Sequence, residues 1–409
     1  MSTAQSSTIH VKQRKINQRK WDRRLGIIAI VTIVIAWFIG SMLGEADLEP
    51  SLQEAMPEAA SFDRVTDTIY AASDSTETQL GYVGVGTADG YGGPLTIAVA
   101  VNMEGMVLNT TLVDQSETPS FLNRVLDSDL IESLTGNTYA DPLTLDEDVD
   151  AVSGATITSR AIVDSVRQSV HEIASDQLGY VIPPPEQPAI EIGPKELILI
   201  ALFAIGYVAH QRKFKYTSQL RWAAMLIGLV TLGFIYNSSF TITYVNQLLL
   251  GFWPDWHTQI YWYILLGGIL FVFTVDNKNP YCQWFCPFGA AQECMAVIGG
   301  AKVRTPHHYR WQLKWLQRGL AWLAIILAVL LRNPGVTSFE IFGTLFTFVG
   351  SPTQFALLGL IMMGALYWKR PWCNYICPID PITDFMRMIR TWVAEIWQTL
   401  RKKNPASAS

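Results

Sequence analysis

Nothing charged interrupts Leu25–Leu43, a run about as long as the roughly 20 apolar residues with which an α-helix crosses the hydrocarbon of a bilayer. Further apolar stretches recur at about 196–210, 222–239, 259–275, 315–331 and 353–369. A chain that must house six such segments cannot fold as a soluble domain. Only 16% of the 409 residues are charged, against roughly a quarter in soluble domains, and the deficit falls in those runs. The second run is the weakest: Leu197–Ala209 is short for a full crossing and needs Pro194-Lys195-Glu196 and His210 to reach both surfaces.

Lys12, Arg14, Lys15, Arg19, Lys20, Arg23 and Arg24 precede the first run and hold the amino terminus inside. The run is long for a signal peptide, and Gly40-Ser41-Met42-Leu43-Gly44 is a poor cleavage site, so it reads as an uncleaved anchor. Six crossings then return the basic segments 211–221 and 276–314 and the tail from Lys369 to the inside, whereas the loops 240–258 and 332–352 carry one Lys or Arg between them, Arg332. Residues 45–191 hold 26 acidic and 4 basic side chains. That block lies outside the cytoplasmic membrane, in a bacterial periplasm, and its charge excludes nucleic acid as a partner; lipid is one instead. The expected organisation is a basic cytoplasmic segment (1–24), a first transmembrane helix (25–43), an external domain (45–181), a stiff proline-rich linker (182–195), a five-helix bundle (196–369) and a cytoplasmic segment (370–409). Ser238–Trp256, broken by Asn246, Gln247, Gly251 and Pro254, reads either as an external or re-entrant segment or as a longer tilted third helix. Trp253, Trp256, Tyr261, Trp262 and Tyr263 suit an interfacial belt.

Within the external block, Gly81–Gly86, Leu95–Val101 and Met106–Val113 are β-rich and punctuated by Gly90-Tyr91-Gly92-Gly93-Pro94, and helical patterns follow at 121–134 and 159–178. The fold class is an α-helical polytopic membrane protein of about six transmembrane helices with an inserted extracytoplasmic α+β domain. Asp150-Ala151-Val152-Ser153-Gly154-Ala155-Thr156-Ile157-Thr158 places small and hydroxylated residues before the last helix. Such a turn serves either as a helix cap or as a seat for an anion such as phosphate.

All five cysteines, Cys282, Cys286, Cys294, Cys373 and Cys377, lie outside the acidic block and read as ligands before disulfides. Four belong to an internal repeat: Lys278-Asn279-Pro280-Tyr281-Cys282-Gln283-Trp284-Phe285-Cys286-Pro287-Phe288 returns as Lys369-Arg370-Pro371-Trp372-Cys373-Asn374-Tyr375-Ile376-Cys377-Pro378-Ile379. The Cys-x-x-x-Cys-Pro motifs occupy 282–287 and 373–378. Cysteines at i and i+4 share one face of a helical turn, and two pairs supply the four thiolates of a 2Fe-2S or 4Fe-4S cluster, or of structural zinc. Reduced thiols are the remaining reading. Trp284, Phe285, Trp372 and Tyr375 are expected to shield the centre, and Lys278 and Lys369 to offset its charge. Cys294 has no counterpart and reads as an apolar cysteine or a spare ligand. The six histidines, His10, His171, His210, His257, His307 and His308, offer no mid-helix pair for haem.

With these residues in view, Asp-x-x-Ser-Gly-Ala-Thr resembles the signature at which FMN is attached in the FMN-binding domains of the Rnf and Na+-translocating quinone-reductase complexes. Gly90–Pro94 and Ser116-Glu117-Thr118-Pro119 are similar to its other segments. The resemblance implies a phosphoester from FMN to Thr156, made by a flavin transferase, with Ser153, Gly154 and Ala155 forming the turn, Asp150 opening it, Glu117 and Thr118 in the second segment, and Thr158 as fallback attachment point. The domain usually has a histidine before Glu-Thr-Pro and a glycine after it, whereas this chain reads Asp114-Gln115-Ser116 and Ser120, which implies different ring contacts. The whole chain resembles the NosR/NirI-like family of membrane flavoproteins. Longer members carry a further ferredoxin-like domain, and with Cys377 as the last cysteine this chain is closer to short members encoded with reductive dehalogenases.

The resemblance implies a flavoprotein and iron-sulfur protein, with 4Fe-4S ranked ahead of 2Fe-2S, that passes electrons between a quinol or cytoplasmic donor and an extracytoplasmic redox protein. It is a redox component rather than a stand-alone enzyme. The alternative is an accessory or regulatory protein for an exported reductase of the nitrous oxide reductase or dehalogenase type. With the cysteines at the inner face and FMN outside, about 30 Å of hydrocarbon separates them. A quinone or second flavin in the bundle, or a cluster set well into the membrane, has to close that gap.

Overall fold

A computed structural model describes residues 2–42, 48–145, 149–182, 190, 192–211, 216–277, 279–301 and 309–403. Most of the proline-rich linker, Lys278 and the His307-His308 pair lie outside the described residues. Helix α1 (Ser2–Met42) leads to a short α2 (Glu49–Ala55) and five strands: β1 (Ser61–Arg64), β2 (Ile69–Ser73), β3 (Gln79–Asp89), β4 (Pro94–Asn102) and β5 (Val107–Gln115). The strands form one antiparallel sheet in sequence order. Period-two side-chain alternation gives it two covered faces. Ile97, Val99 and Val101 of β4 meet Val163, Val166, Val170 and Ile173 of α5 (Thr156–Asp176), while Ala98 and Ala100 face Leu52 and Met56 beneath the other side.

The sequence patterns at 81–86, 95–101 and 106–113 fall in β3, β4 and β5, whereas β1 and β2, four and five residues long, are too short to stand out. The helical pattern at 121–134 is in fact two helices, α3 (Pro119–Leu126) and α4 (Leu130–Leu134). Ser128 interrupts them: its hydroxyl donates to Val125 O at 2.6 Å and accepts from Leu130 N at 3.4 Å, replacing helix bonds with local ones.

The second half is helical: α6 (Pro194–Gln211), α7 (Thr217–Gly228) continuing as a π-helical stretch to Ile235, α8 (Ile242–Leu250), α9 (Ile260–Asp276), a π-helical turn Tyr281–Phe285, α10 (Pro287–Ile298), α11 (Arg310–Leu330), α12 (Phe342–Thr347), α13 (Pro352–Ala365), α14 (Pro371–Tyr375) and α15 (Ile379–Lys403). Among the described residues, three helices are long and apolar enough to cross a membrane, Trp21–Met42, Thr217–Ile235 and Trp311–Leu330, and Ile260–Val275 and Pro352–Ala365 are shorter apolar helices. Ile28, Phe38, Phe234, Phe271, Leu316 and Leu360 point outward. Helices with apolar outer faces as well as apolar inner ones suit lipid, and the protein is a membrane protein.

Ser238–Trp256 does not extend the preceding helix. The chain turns at Asn237, with φ of 45°, and α8 packs into the bundle with Ser238, Ser239, Asn246 and Gln247 buried. The aromatic residues read as a belt brace this segment: Tyr261 Oη donates to Ser238 O (2.7 Å), Trp262 Nε1 to Gln247 Oε1 (2.8 Å) and Tyr263 Oη to Pro254 O (2.6 Å).

Candidate functional site

The hydroxyl-rich turn sits at the amino terminus of α5. Ala155 is its cap residue, Gly154 has φ of +79°, and Ser159 ties the turn by accepting from Val152 N (3.3 Å) and donating to Ala155 O (3.1 Å). Thr156, Ser153 and Gly154 are exposed, as is Asp150, whereas Thr158 is buried. Exposure therefore favours Thr156 over Thr158 as a position an enzyme can reach. Sequence reasoning missed Arg124 of α3: a Cβ on Gly154 would lie 2.9 Å from its Nη1, so a guanidinium stands over the turn where a phosphate would meet the free amides of α5.

Glu117 is buried beside Thr158, and its carboxylate accepts from Tyr91 N (2.7 Å) and Gly92 N (3.2 Å). Only glycine allows this approach, since a Cβ on Gly90 would fall 1.8 Å from Glu117 Oε1. Burial pushes the Glu117 carboxyl up to about 7, against the amides that favour its charged form. Thr118 caps α3 through its carbonyl, which accepts from Phe121 N (2.9 Å), and Gln115 Oε1 accepts from Glu117 N (2.7 Å). The three separated segments 90–94, 116–118 and 153–158 thus form one site.

The four repeat cysteines, Cys282, Cys286, Cys373 and Cys377, line a single cavity of about 180 Å³ together with Phe240, Tyr281, Phe288, Phe342 and Trp372. Their turns are wider than the expected α-type. Cys286 N donates to Tyr281 O (2.8 Å) and Cys377 N to Trp372 O (2.9 Å), an i to i−5 bond in both copies. The following Pro287 and Pro378 cannot donate to that turn, and Pro287 opens the next helix. Among the described residues, no group of three His, Cys, Asp or Glu stands close enough to hold one metal ion. Zinc would draw thiolates to about 2.3 Å; four thiols spread around a shared cavity suit a cluster that places several irons between them. Cys294 does not line the cavity.

Charge compensation also comes from unexpected residues. Lys369 is exposed, while its neighbour Arg370 donates from Nη1 to Cys282 O (2.6 Å) and pairs with Glu293 (2.7 Å), which Arg221 also holds (2.6 Å). Asn279, which occupies the corresponding place in the first copy, donates to Cys282 Sγ (3.3 Å), and Gln292 to Cys373 Sγ (3.5 Å). Gln317 donates to Cys373 O (3.2 Å) and Cys377 O (2.8 Å). Amide and guanidinium donors around thiolates are what lowers the electrostatic cost of a negatively charged cluster. Of the expected aromatic shield, Trp284, Phe285 and Trp372 are buried and Tyr375 is half-buried.

The two regions touch. Gln247 Nε2 donates to Tyr91 O (3.1 Å), Asn333 Nδ2 to Gln115 O (2.6 Å), and Gln259 Nε2 to Asp89 O (3.3 Å). Gly335 fits so closely that a Cβ there would lie 2.5 Å from the carbonyl oxygens of Ser116 and Glu117. The loops that carry the Gly90–Pro94 and Glu117-Thr118 segments are therefore seated on the helical bundle.

Comparison with known families and proteins agrees with both halves. The FMN-binding domain family matches residues 90–171, and the 4Fe-4S binding domain family matches 258–306 and 352–397. A component of the proton-translocating ferredoxin:NAD(+) oxidoreductase complex of Clostridium ljungdahlii is 32% identical over 112 residues, 26% of this chain and 60% of that protein. Protein NirI of Paracoccus denitrificans is 24% identical over 207 residues, 47% of this chain and 30% of that protein. Regulatory protein NosR of Pseudomonas aeruginosa is 25% identical over 211 residues, 47% of this chain and 29% of that protein. The chain thus spans 60% of the length of the first of these relatives and 30% and 29% of the other two. Its cofactors are FMN and a 4Fe-4S cluster, and the chain is a NosR/NirI-like membrane protein with an Rnf-type FMN-binding domain.

Proposed function

We propose that this protein carries electrons across the bacterial cytoplasmic membrane, between a quinol or cytoplasmic donor and an extracytoplasmic redox protein. FMN is held on Thr156 as a phosphoester made by a flavin transferase, and Cys282, Cys286, Cys373 and Cys377 ligate the cluster. The reading is carried by one observation: the flavin-site loops are seated on the same bundle whose interior gathers the four cysteines. A flavin exchanges electrons singly or in pairs, which suits a junction between a two-electron quinol and one-electron iron centres. In this reading α1, α6, α7 with its π-helical extension, α9, α11 and α13 are the six spans and the sheet domain is periplasmic. In this reading the cluster is set into the membrane and no second carrier is obligatory.

The test is the intact mass and iron content of the full chain purified with a flavin transferase present. An adduct of one esterified FMN that is lost in Thr156→Ala and kept in Thr158→Ala, with iron that is lost in Cys373→Ser, supports the reading. No adduct and no iron overturn it. A regulatory role is the second reading, favoured by the name of the NosR relative. In the host, Thr156→Ala that abolishes reductase activity with unchanged reductase expression selects electron delivery; loss of expression selects regulation.

A further inference from the structure

Tyr91 belongs to two cores at once. It packs against the apolar cluster of the sheet domain and against that of the helical bundle, and its loop is the one whose Tyr91 and Gly92 amides bond Glu117 at the flavin site. From it a line of rings runs inward. Tyr91 meets Tyr244 edge-on at 6.2 Å between centroids, Tyr244 meets Phe240 at 5.7 Å, and Phe240 meets Tyr281 at 5.7 Å. Phe240 and Tyr281 both line the cysteine cavity, and Tyr281 precedes Cys282. Tyr281 also fixes the line, its hydroxyl accepting from Phe240 N at 2.7 Å. The turn at Asn237 that brings α8 back into the bundle is what places Phe240 and Tyr244 between the two sites.

We infer that Tyr91, Tyr244, Phe240 and Tyr281 form the electron route between the cysteine-ligated cluster and the flavin. The inference rests on the proposed electron-carrying function and assigns its path. In each passage one electron leaves the reduced cluster and arrives on the oxidised flavin; the four side chains provide closely spaced π systems and end unchanged. A ring is required at position 244, and a hydroxyl is not.

The experiment uses the full chain in detergent, loaded with FMN and cluster, fully reduced and mixed anaerobically with a small soluble haem protein as one-electron oxidant. The oxidant takes electrons from the outer flavin, so reoxidation of the buried cluster reports transfer through the bundle. Thr156→Ala, lacking flavin, measures direct leakage. Tyr244→Leu and Phe240→Leu are expected to slow cluster reoxidation by more than about tenfold, and Tyr244→Phe to stay within about twofold of the parent, tenfold being about 1.4 kcal/mol of barrier. Iron and flavin content, and amide-exchange protection of residues 89–94, establish that each variant is loaded and seated; exchange protection is read on the cofactor-free chain as well. Parent-like rates in seated Tyr244→Leu and Phe240→Leu overturn the route and leave the function standing. Equal slowing in Tyr244→Phe and Tyr244→Leu overturns the assignment to the ring. A parent no faster than Thr156→Ala overturns the electron-carrying reading itself.

Discussion

Glu117 gives the flavin site a pH dependence whose size follows from its burial. The carboxyl is 1% exposed, and desolvation raises it from 4.5 to about 7 although Tyr91 N and Gly92 N both donate to it. A carboxylate raised in the closed loop favours the closed state while protonated. That contribution is complete below pH 4.5, declines as the opened state ionises, and is gone once pH passes about 7. The gap is worth about 3 kcal/mol at roughly 1.4 kcal/mol per pH unit. Between pH 5 and pH 8 the opened population of the 90–92 loop should therefore grow by roughly two orders of magnitude. The assay is hydrogen exchange at the Tyr91 and Gly92 amides of flavin-free Thr156→Ala protein, corrected for the intrinsic pH dependence of exchange. Glu117→Gln, which keeps one acceptor and cannot ionise, should flatten the profile. A flat profile in the parent, or the same slope in Glu117→Gln, refutes the assignment to Glu117.

Two further outcomes follow from the same contacts. Gly335→Ala drives a Cβ against two backbone carbonyl oxygens at 2.5 Å and should weaken seating of the flavin domain by about 1–3 kcal/mol, read as lost exchange protection at 115–117 with the sheet core unchanged. Arg124→Gln removes the guanidinium beside Gly154 and should slow FMN attachment in a timed transferase reaction followed by intact mass, while Arg124→Lys retains part of the rate.

The parts of this protein legible in its sequence are those whose signal is local. Gly90–Pro94 reads as a turn and joins β3 to β4, and the Ser153–Thr156 turn precedes a helix as its composition requires. The cysteine repeat was legible because each copy carries its own prolines and aromatics. What stayed hidden is set by packing between distant segments. The spacing of Cys282 and Cys286 is the same for an α-turn and for the wider π-type turn; only the Cys286 N to Tyr281 O bond distinguishes them. Gln292 and Gln317 look like ordinary helical polar residues until Cys373 arrives from 81 and 56 positions away. Gln247 reads as a break in an apolar run and Asn333 as a residue of a loop, whereas each anchors the sheet domain.

The repeat is symmetric in its cysteines and asymmetric at the residue between lysine and proline, and that difference has an electrical consequence. Asn279 reaches Cys282 Sγ and Arg370 reaches Cys282 O, so both variable positions converge on one cysteine, the one that follows Tyr281. Cys373 receives a longer contact, from Gln292 at 3.5 Å. Positive charge and amide donors stabilise the more negative, reduced cluster and raise its potential; amides reach both halves of the repeat, Gln317 donating to Cys373 O and Cys377 O, but the one full positive charge among these donors is that of Arg370. Arg370→Gln should therefore lower the cluster midpoint in an EPR-monitored titration more than Gln292→Leu does, because it removes a full charge beside Cys282 while Glu293 keeps Arg221. A larger shift for Gln292→Leu, in protein of equal iron content, would mean that the amide at Cys373 Sγ outweighs the guanidinium and that the asymmetry of the repeat has no electrical role.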